Sequence, residues 1–328
     1  MVRVRTGVAP TAAIPSLLRQ AGGMARDRPV HYTSPEEDSA RWQGFPFREG
    51  DVVVSSRSKS GTTWLQAVCL VLVLQTPDLP SPLGALSPWL DWTVRPRDDV
   101  VARLAAQPHR RVIKTHTPLD GLPLDERATF VVPGRHPLDM AVSLYHQGAN
   151  IDRARLARLT GIPAETGARV ARPPLRDWLL GWIDWEGDPL APGNLDTLPG
   201  VLRHMGDAWE RRRAPNVVLV HYDELAYDLD AAMRRLSGRL GIAVDPTRWP
   251  DLVQATAFAR MRRDADRFVP DTTGVLRDAA AFFRHGVSGD GVRALGEAGT
   301  ARYEERVAAL APADLLEWLH GGPPGTRA

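Results

Sequence analysis

Asp51-Val52-Val53-Val54-Ser55-Ser56-Arg57-Ser58-Lys59-Ser60-Gly61-Thr62-Thr63-Trp64 is where a fold first becomes readable. Val52 to Val54 follow the turn pair Gly50-Asp51 and give way to small polar residues, the pattern of a buried strand that ends in a loop. The apolar run from Trp64 to Leu74, with only Gln66 inside it, predicts a buried helix after that loop. It is well short of the ~20 residues needed to span a bilayer. A strand-loop-helix junction aims free backbone N–H groups and the positive end of the helix dipole at one point. Gly61 lets the backbone come close to an oxyanion, Lys59 adds a full charge, and Thr62 and Thr63 add hydroxyl donors. The order is not that of a Walker A loop, because Lys59 precedes the glycine. A polar turn with a helix cap would explain any two of these residues, whereas the whole string in this position points to an anion site.

Working outward, Val112-Ile113, Thr129 to Val132 and Asn216 to Val220 are brief, β-branched and bounded by turn formers or charges, as strands are. Pro137 opens a helix that carries Met140, Ala141 and Leu144 on one face, and Asp228 to Leu240 predicts another. Strands alternating with helices predict an α/β fold: a single domain with a central parallel sheet covered on both faces. Residues 1–40 read as a leader, partly mobile, residues 41–322 as the domain with a helical insertion at about 150–199, and residues 323–328 as a mobile tail. Pro133, just before Arg135, predicts that the third strand stops early.

The 328 residues carry 41 basic and 39 acidic side chains, a formal net charge of +2, so no global field for nucleic acid exists and any anion site must be local. Cys69, alone among apolar neighbours, excludes an intrachain disulfide and reads as a buried thiol. The N-terminal stretch has Pro and polar residues where a signal peptide needs an apolar core, which predicts a cytoplasmic protein with no membrane span.

Two further stretches bear chemistry. Lys114 and His116 stand two residues apart at a strand end, so both leave on the same face, and His is the side chain that takes a hydroxyl proton near neutral pH without large tuning. A lone strand-end His is more often structural. Arg135 ends the third strand with a planar fork suited to a phosphate, and Ser143 lies two turns into the next helix.

Lys59-Ser60-Gly61-Thr62-Thr63-Trp64, Lys114-Thr115-His116 and Arg135-His136-Pro137-Leu138-Asp139-Met140-Ala141-Val142-Ser143 together resemble the sulfotransferases that use 3′-phosphoadenosine-5′-phosphosulfate, PAPS. That resemblance covers most of residues 48–322 and implies a P-loop-like sulfotransferase fold. It implies that Lys59, Ser60, Gly61, Thr62 and Thr63 hold the 5′-phosphosulfate, that Trp64 stacks near the adenine, and that Arg135 and Ser143 hold the 3′-phosphate. It makes His116 the catalytic base and Lys114 a stabiliser of the transferring group, with Lys59 neutralising the leaving oxygen and Ser143 restraining Lys59 until acceptor arrives. Tyr222, in Tyr222-Asp223-Glu224-Leu225, is a nucleotide contact by the same resemblance, and Thr256-Ala257-Phe258 is similar to the loop around the adenine.

Phe283-Arg284-His285-Gly286-Val287-Ser288-Gly289-Asp290 resembles the segment whose Arg and backbone amides close over the 3′-phosphate, which implies contacts from Arg284, His285 and Gly286. His285 stands where the family has Lys, and Gly291 where it has Trp, so donor affinity and the packing of this segment are the points to check. Pro77-Asp78-Leu79-Pro80, Ser87-Pro88-Trp89-Leu90-Asp91 and Lys114 through Leu122 are most similar to actinobacterial glycolipid sulfotransferases. The implied reaction moves a sulfuryl group from PAPS to a hydroxyl of a glycolipid or other small lipophilic acceptor, leaving PAP, with no metal. Two alternatives stand beside it: a P-loop nucleotide kinase, which would need a strand-end Asp for Mg²⁺, and a decayed PAP-binding protein. Trp89, Trp92, Trp178, Trp182 and Trp185 are candidates for an acceptor cleft or for core. Oligomeric state is left open, a homo-oligomer included.

Overall fold

Four short strands frame the described part of the chain, which in the computed structural model comprises residues 29–161, 172–269 and 273–321. Most of the expected leader, residues 162–171 of the expected insertion and the expected tail lie outside the described residues. The strands are β1 (Asp51–Ser55), β2 (Val112–Thr115), β3 (Ala128–Gly134) and β4 (Val217–His221). All pair in parallel, in the order β2-β1-β3-β4, with Val53 opposite Ile113 on one side and Phe130 on the other.

Their valine-rich runs follow from burial on both faces. Val53, Ile113, Phe130 and Val132 point into one core, where the helices Pro137–Asn150, Leu198–Glu210 and Ala313–His320 pack. Val52, Val54, Val112, Val131 and Val218 point into the other, beneath Thr62–Leu74 and Leu229–Arg239. The alternation is the period-two signature of a strand. The expected single α/β domain, a parallel sheet flanked by helices, is the one observed.

β3 does not stop at Pro133, as the sequence predicts; it runs through Gly134, with Pro133 opposite Val220 of β4. The reason is geometric. The Phe130 N–H bonds the Asn216 carbonyl on the β4 side, so by alternation the Pro133 nitrogen faces the β1 side. There the last paired residues are Val131 and Val54, and no ladder bond is lost for want of an N–H.

At the other end of the sheet Arg111 and Asp51 form a buried pair, with Arg111 Nε donating to Asp51 Oδ1 at 2.8 Å and Nη2 donating to Pro46 O at 2.8 Å. Within the expected insertion, helices Arg153–Thr160 and Leu175–Ile183 are observed, and Trp182 is buried in the first core with Trp178 packed on it. Residues 29–40 pack over the C-terminal ends of the strands: the Tyr32 hydroxyl donates to Asp120 Oδ1 at 2.7 Å, and Glu37 pairs through its backbone with Trp92.

Candidate active site

From β1 the chain turns first to β2 and then, through β3, to the opposite side, so the crevice at the C-terminal ends of β1 and β3 is the switch point where α/β sheets bind ligands. A cavity of about 670 Å³ opens there.

The loop after β1 forms one wall. Lys59 and Gly61 both have positive φ, 68° and 107°, which turns the chain back so that the helix Thr62–Leu74 begins at the cavity. At Gly61 a side chain is excluded twice over, since a Cβ would also lie 2.9 Å from the Tyr222 ring. The Ser56 and Thr62 hydroxyls are 2.6 Å apart and lock the loop ends together. Ser60 is buried and donates its hydroxyl to the Arg57 carbonyl, so it shapes the loop and its side chain does not line the cavity.

β2 delivers Lys114 and His116 to the next wall. Buried Asp91 braces the strand end, accepting from Thr115 Oγ1 and Thr117 Oγ1 at 2.7 Å each and from the His116 N–H at 3.2 Å. His116 Nδ1 lies 2.5 Å from the Ser56 carbonyl, which can only accept. Nδ1 therefore carries the proton and Nε2 is the acceptor, and the imidazole leans on the phosphate-type loop itself.

β3 ends at Arg135, whose guanidinium stacks 4.1 Å from the Tyr222 ring centroid and donates to the Lys59 carbonyl at 3.1 Å. Trp64, Tyr222 and Phe258 meet as an aromatic floor with centroids 5.4 and 5.7 Å from Trp64. Thr256 supports that floor from behind: its carbonyl accepts from Trp64 Nε1 at 2.8 Å, while its hydroxyl turns to Met233, Leu252 and Val253. Gly286, at φ 70°, lies over Phe258, where a Cβ would approach the ring to 2.6 Å. The cavity lining thus includes Lys59, Gly61, Thr62, Thr63, Trp64, Lys114, His116, Arg135, Ser143, Tyr222, Phe258, Arg284, His285 and Gly286, and omits Ser60 and Thr256.

The two departures from the family pattern have physical readings. Gly291 sits where the helix Asp290–Ala308 meets Leu138 so closely that any Cβ would clash with it. Asp139 fixes this approach by accepting from the Gly289 and Gly291 N–H groups at 2.8 and 2.9 Å. His285 is exposed at the cavity edge. The expected restraint of Lys59 by Ser143 is not what is observed: Gln147, one turn further along the same helix, accepts from Lys59 Nζ at 2.7 Å.

This end of the cavity is cationic: among the described residues Lys59 and Arg135 have no carboxylate partner, and Arg284 is paired with Asp290. Burial, then the neighbouring Arg135, Lys114 and Arg284 charges, push the Lys59 ammonium down to about 7. Burial pushes Lys114 down to about 8, partly offset by Glu37 and Asp91. His116 is held well below its ordinary value by burial, Lys114 and Arg57, so it is a neutral base, more strongly tuned than the sequence predicts. Arg135 Nε and Arg284 Nε are buried without a hydrogen-bond partner among the described residues. Buried donors left unpaired beside depressed lysines fit a polyanionic ligand. No grouping of three or more His, Cys, Asp or Glu placed to hold a metal occurs among the described residues.

Beyond His116 the walls change character. Trp89 meets the His116 ring edge-on at 4.5 Å, carries Lys114 Nζ 3.8 Å over its face, and stacks on Trp92 at 5.4 Å. Opposite stands buried Arg57, donating to the His116 carbonyl at 2.5 Å and to Asp196 at 2.9 Å, with Glu37 at 3.5 Å. Of the five candidate tryptophans, Trp89 and Trp92 line the cavity, while Trp178 and Trp182 belong to the core and Trp185 lies away from both. Arg57, Glu37, Asp91, Asp139 and Gln147 were not among the residues expected from sequence. Arg57, Asp91 and Asp139 stood inside the quoted stretches, so their position was the available signal; nothing local marked Glu37.

Residues 49–310 match the model of the sulfotransferase domain. The chain is 42% identical over 314 residues to a glycolipid sulfotransferase of Mycobacterium bovis, covering 90% of this chain and 95% of that protein. It is 43% identical over 316 residues, with the same coverage, to a glycolipid sulfotransferase of Mycobacterium tuberculosis. Among solved structures, mouse sulfotransferase SULT7A1 complexed with PAP shares the fold with a TM-score of 0.62 at 21% identity, covering 85% of this chain and 90% of that one. With its described helices all too short or too polar to cross a membrane, and with the domain model spanning the sheet, the loop after β1 and the cavity, this chain belongs to the sulfotransferase family.

Proposed function

We propose that this sulfotransferase takes its sulfuryl group from PAPS and passes it to a hydroxyl of a glycolipid or other small lipophilic acceptor. One observation carries the reading: His116, its Nδ1 pinned to Ser56 O, offers Nε2 to the same cavity in which Lys59 and Arg135 have no carboxylate partner among the described residues and the Nε donors of Arg135 and Arg284 are unpaired. The glycolipid sulfotransferase relatives support the acceptor class, and the PAP complex of the structural neighbour supports the donor.

PAPS, bound at the cationic end, supplies the sulfuryl group and leaves as PAP. Arg135 and Arg284 hold phosphate with donors that are otherwise unpaired. Trp64, Tyr222 and Phe258 offer an apolar floor for a base. His116 Nε2 takes the acceptor hydroxyl proton as the new S–O bond forms and the bond from sulfur to the phosphate oxygen breaks. Lys59 neutralises the charge that gathers on that leaving oxygen, after releasing Gln147. Lys114 steadies the transferring group. Most of the rate then comes from position and fixed charge, as in phosphoryl transfer.

His116→Ala is expected to lower transfer of radiolabelled sulfate from PAPS by at least about a thousandfold, the scale of a positioned base, while PAP binding by calorimetry stays within about threefold. A variant that remains fully active would overturn the base assignment.

A further inference from the structure

We infer that the acceptor arm of the cavity holds a subsite for a sugar ring, in which Trp92 and the carboxylates of Glu37 and Asp196 make the hydroxyl-bearing ring, rather than the lipid, the part that is sulfated. The inference rests on the sulfotransferase reading above and narrows its acceptor.

Three features meet there. First, Trp89 is occupied on its faces by Trp92 and Lys114, but Trp92 takes no ring or cation contact on its second face among the described residues. It is partly exposed to the cavity. A flat indole of this kind suits the C–H face of a pyranose, which is apolar although the ring's edge is polar. Second, Glu37 pairs with Trp92 through an antiparallel bridge, and residues so paired project to the same side. Its carboxylate therefore stands beside the indole.

Third, the carboxylates are only half used. Arg57 engages Glu37 Oε2 and Asp196 Oδ1, and the Ser58 N–H also donates to Asp196 Oδ1. Glu37 Oε1 and Asp196 Oδ2 have no hydrogen-bond partner among the described residues, and both side chains line the cavity. The Asp196 carboxylate oxygens can only accept, while Glu37, which burial pushes up to about 7, can accept or donate near neutral pH, so what the pair suits is a ligand rich in hydroxyls. An alkyl chain would leave them desolvated and unpaired, which is costly. Arg57 ties this arm to the chemistry, because the same guanidinium bonds the His116 carbonyl. Trp89 joins the two, stacked on Trp92 and edge-on to His116, so a ring resting on Trp92 lies one indole away from His116.

The test compares n-octyl β-glucoside, below its micelle concentration, with 1-octanol as acceptors for radiolabelled sulfate from PAPS. The wild-type protein is expected to favour the glucoside in kcat/KM by at least about 100-fold, since a site built to bond hydroxyls rejects an analogue that lacks them. Trp92→Ala and Glu37→Gln should each shrink that preference by at least about tenfold, chiefly through KM for the glucoside, with PAP affinity kept as evidence of folding. Octanol sulfated as well as the glucoside, or a preference untouched by both variants, would overturn the subsite and leave the sulfotransferase reading standing. No labelled product from either acceptor, or from a simple phenol, would overturn both.

Discussion

Binding of PAP to the cationic end of the cavity should draw protons onto Lys59 and Lys114 near pH 8 and almost none onto them near pH 6. The cause is Lys59, whose ammonium is pushed from an ordinary 10.5 to about 7 by burial and by Arg135, Lys114 and Arg284. At about pH 8 such a group is roughly one-tenth protonated, and Lys114, at about 8, is roughly half protonated. A bound polyanion favours both charged forms, so uptake approaches about one to one and a half protons per site. At about pH 6 both amines already carry their protons, and only His116 and the ligand's own phosphates can exchange any. Calorimetry in buffers of differing ionisation enthalpy reads the proton number directly.

Lys59→Met removes the charge while keeping length and a positive-φ backbone that Met tolerates no worse than Lys. The wild-type uptake should exceed that of the variant by about 0.9 proton near pH 8 and by about 0.1 near pH 6. Identical proton numbers for the two proteins at both pH values would refute the electrostatic account of the site. The sign carries over to stability. A folded-state value below the unfolded one means that the unfolded chain binds more protons between about pH 7 and 10.5, so the free protein gains stability as pH rises through that window. With PAP bound that gain should disappear from thermal denaturation curves.

Two substitutions test the frame. Gly61→Ala places a Cβ at φ 107° and 2.9 Å from the Tyr222 ring; a loss of about 1–3 kcal/mol in urea denaturation is expected, and PAP affinity should fall at least about tenfold as the loop shifts. Asp51→Ala leaves the Arg111 guanidinium buried without its carboxylate at the far end of the sheet, which should cost about 3–5 kcal/mol while the pH dependence of PAP binding in surviving folded protein stays that of the wild type.

The strands could be read because each is an unbroken β-branched run, and such runs arise only when both faces of a parallel sheet are covered. The loop after β1 could be read because its residues are contiguous. Pro133 misled because a proline's effect depends on which neighbour its nitrogen faces, and that follows from the pairing of β3 with β1 and β4 rather than from local sequence. Gly291 is explained only by the approach of a second helix at Leu138, which lies more than a hundred residues away in the chain. Gln147 replaces Ser143 as the partner of Lys59 for a related reason: both lie on one helix face a turn apart, and only the reach of the long lysine chain selects between them. Glu37 gave no signal, because its position is set by a backbone bridge to Trp92 across more than fifty residues.

The two ends of the cavity differ in a way that bears on how transfer is kept from becoming hydrolysis. At the donor end, Lys59 and Arg135 have no carboxylate partner among the described residues and Arg284 has Asp290, so the free protein holds Lys59 close to its titration point and parks it on Gln147. At the acceptor end, Arg57 is paired with Asp196 and with Glu37, which burial pushes up to about 7, and so it adds structure with little net charge. His116 stands between them, and its depressed basicity reflects the cations on both sides, Lys114 and Arg57. An anion at the donor end opposes the first of these and restores proton affinity to Nε2. On the proposed mechanism, the base therefore gains strength when the donor site is filled. On that mechanism the coupling runs through charge, since His116 and Lys114 stand at the end of β2 and Lys59 in the loop after the neighbouring strand β1.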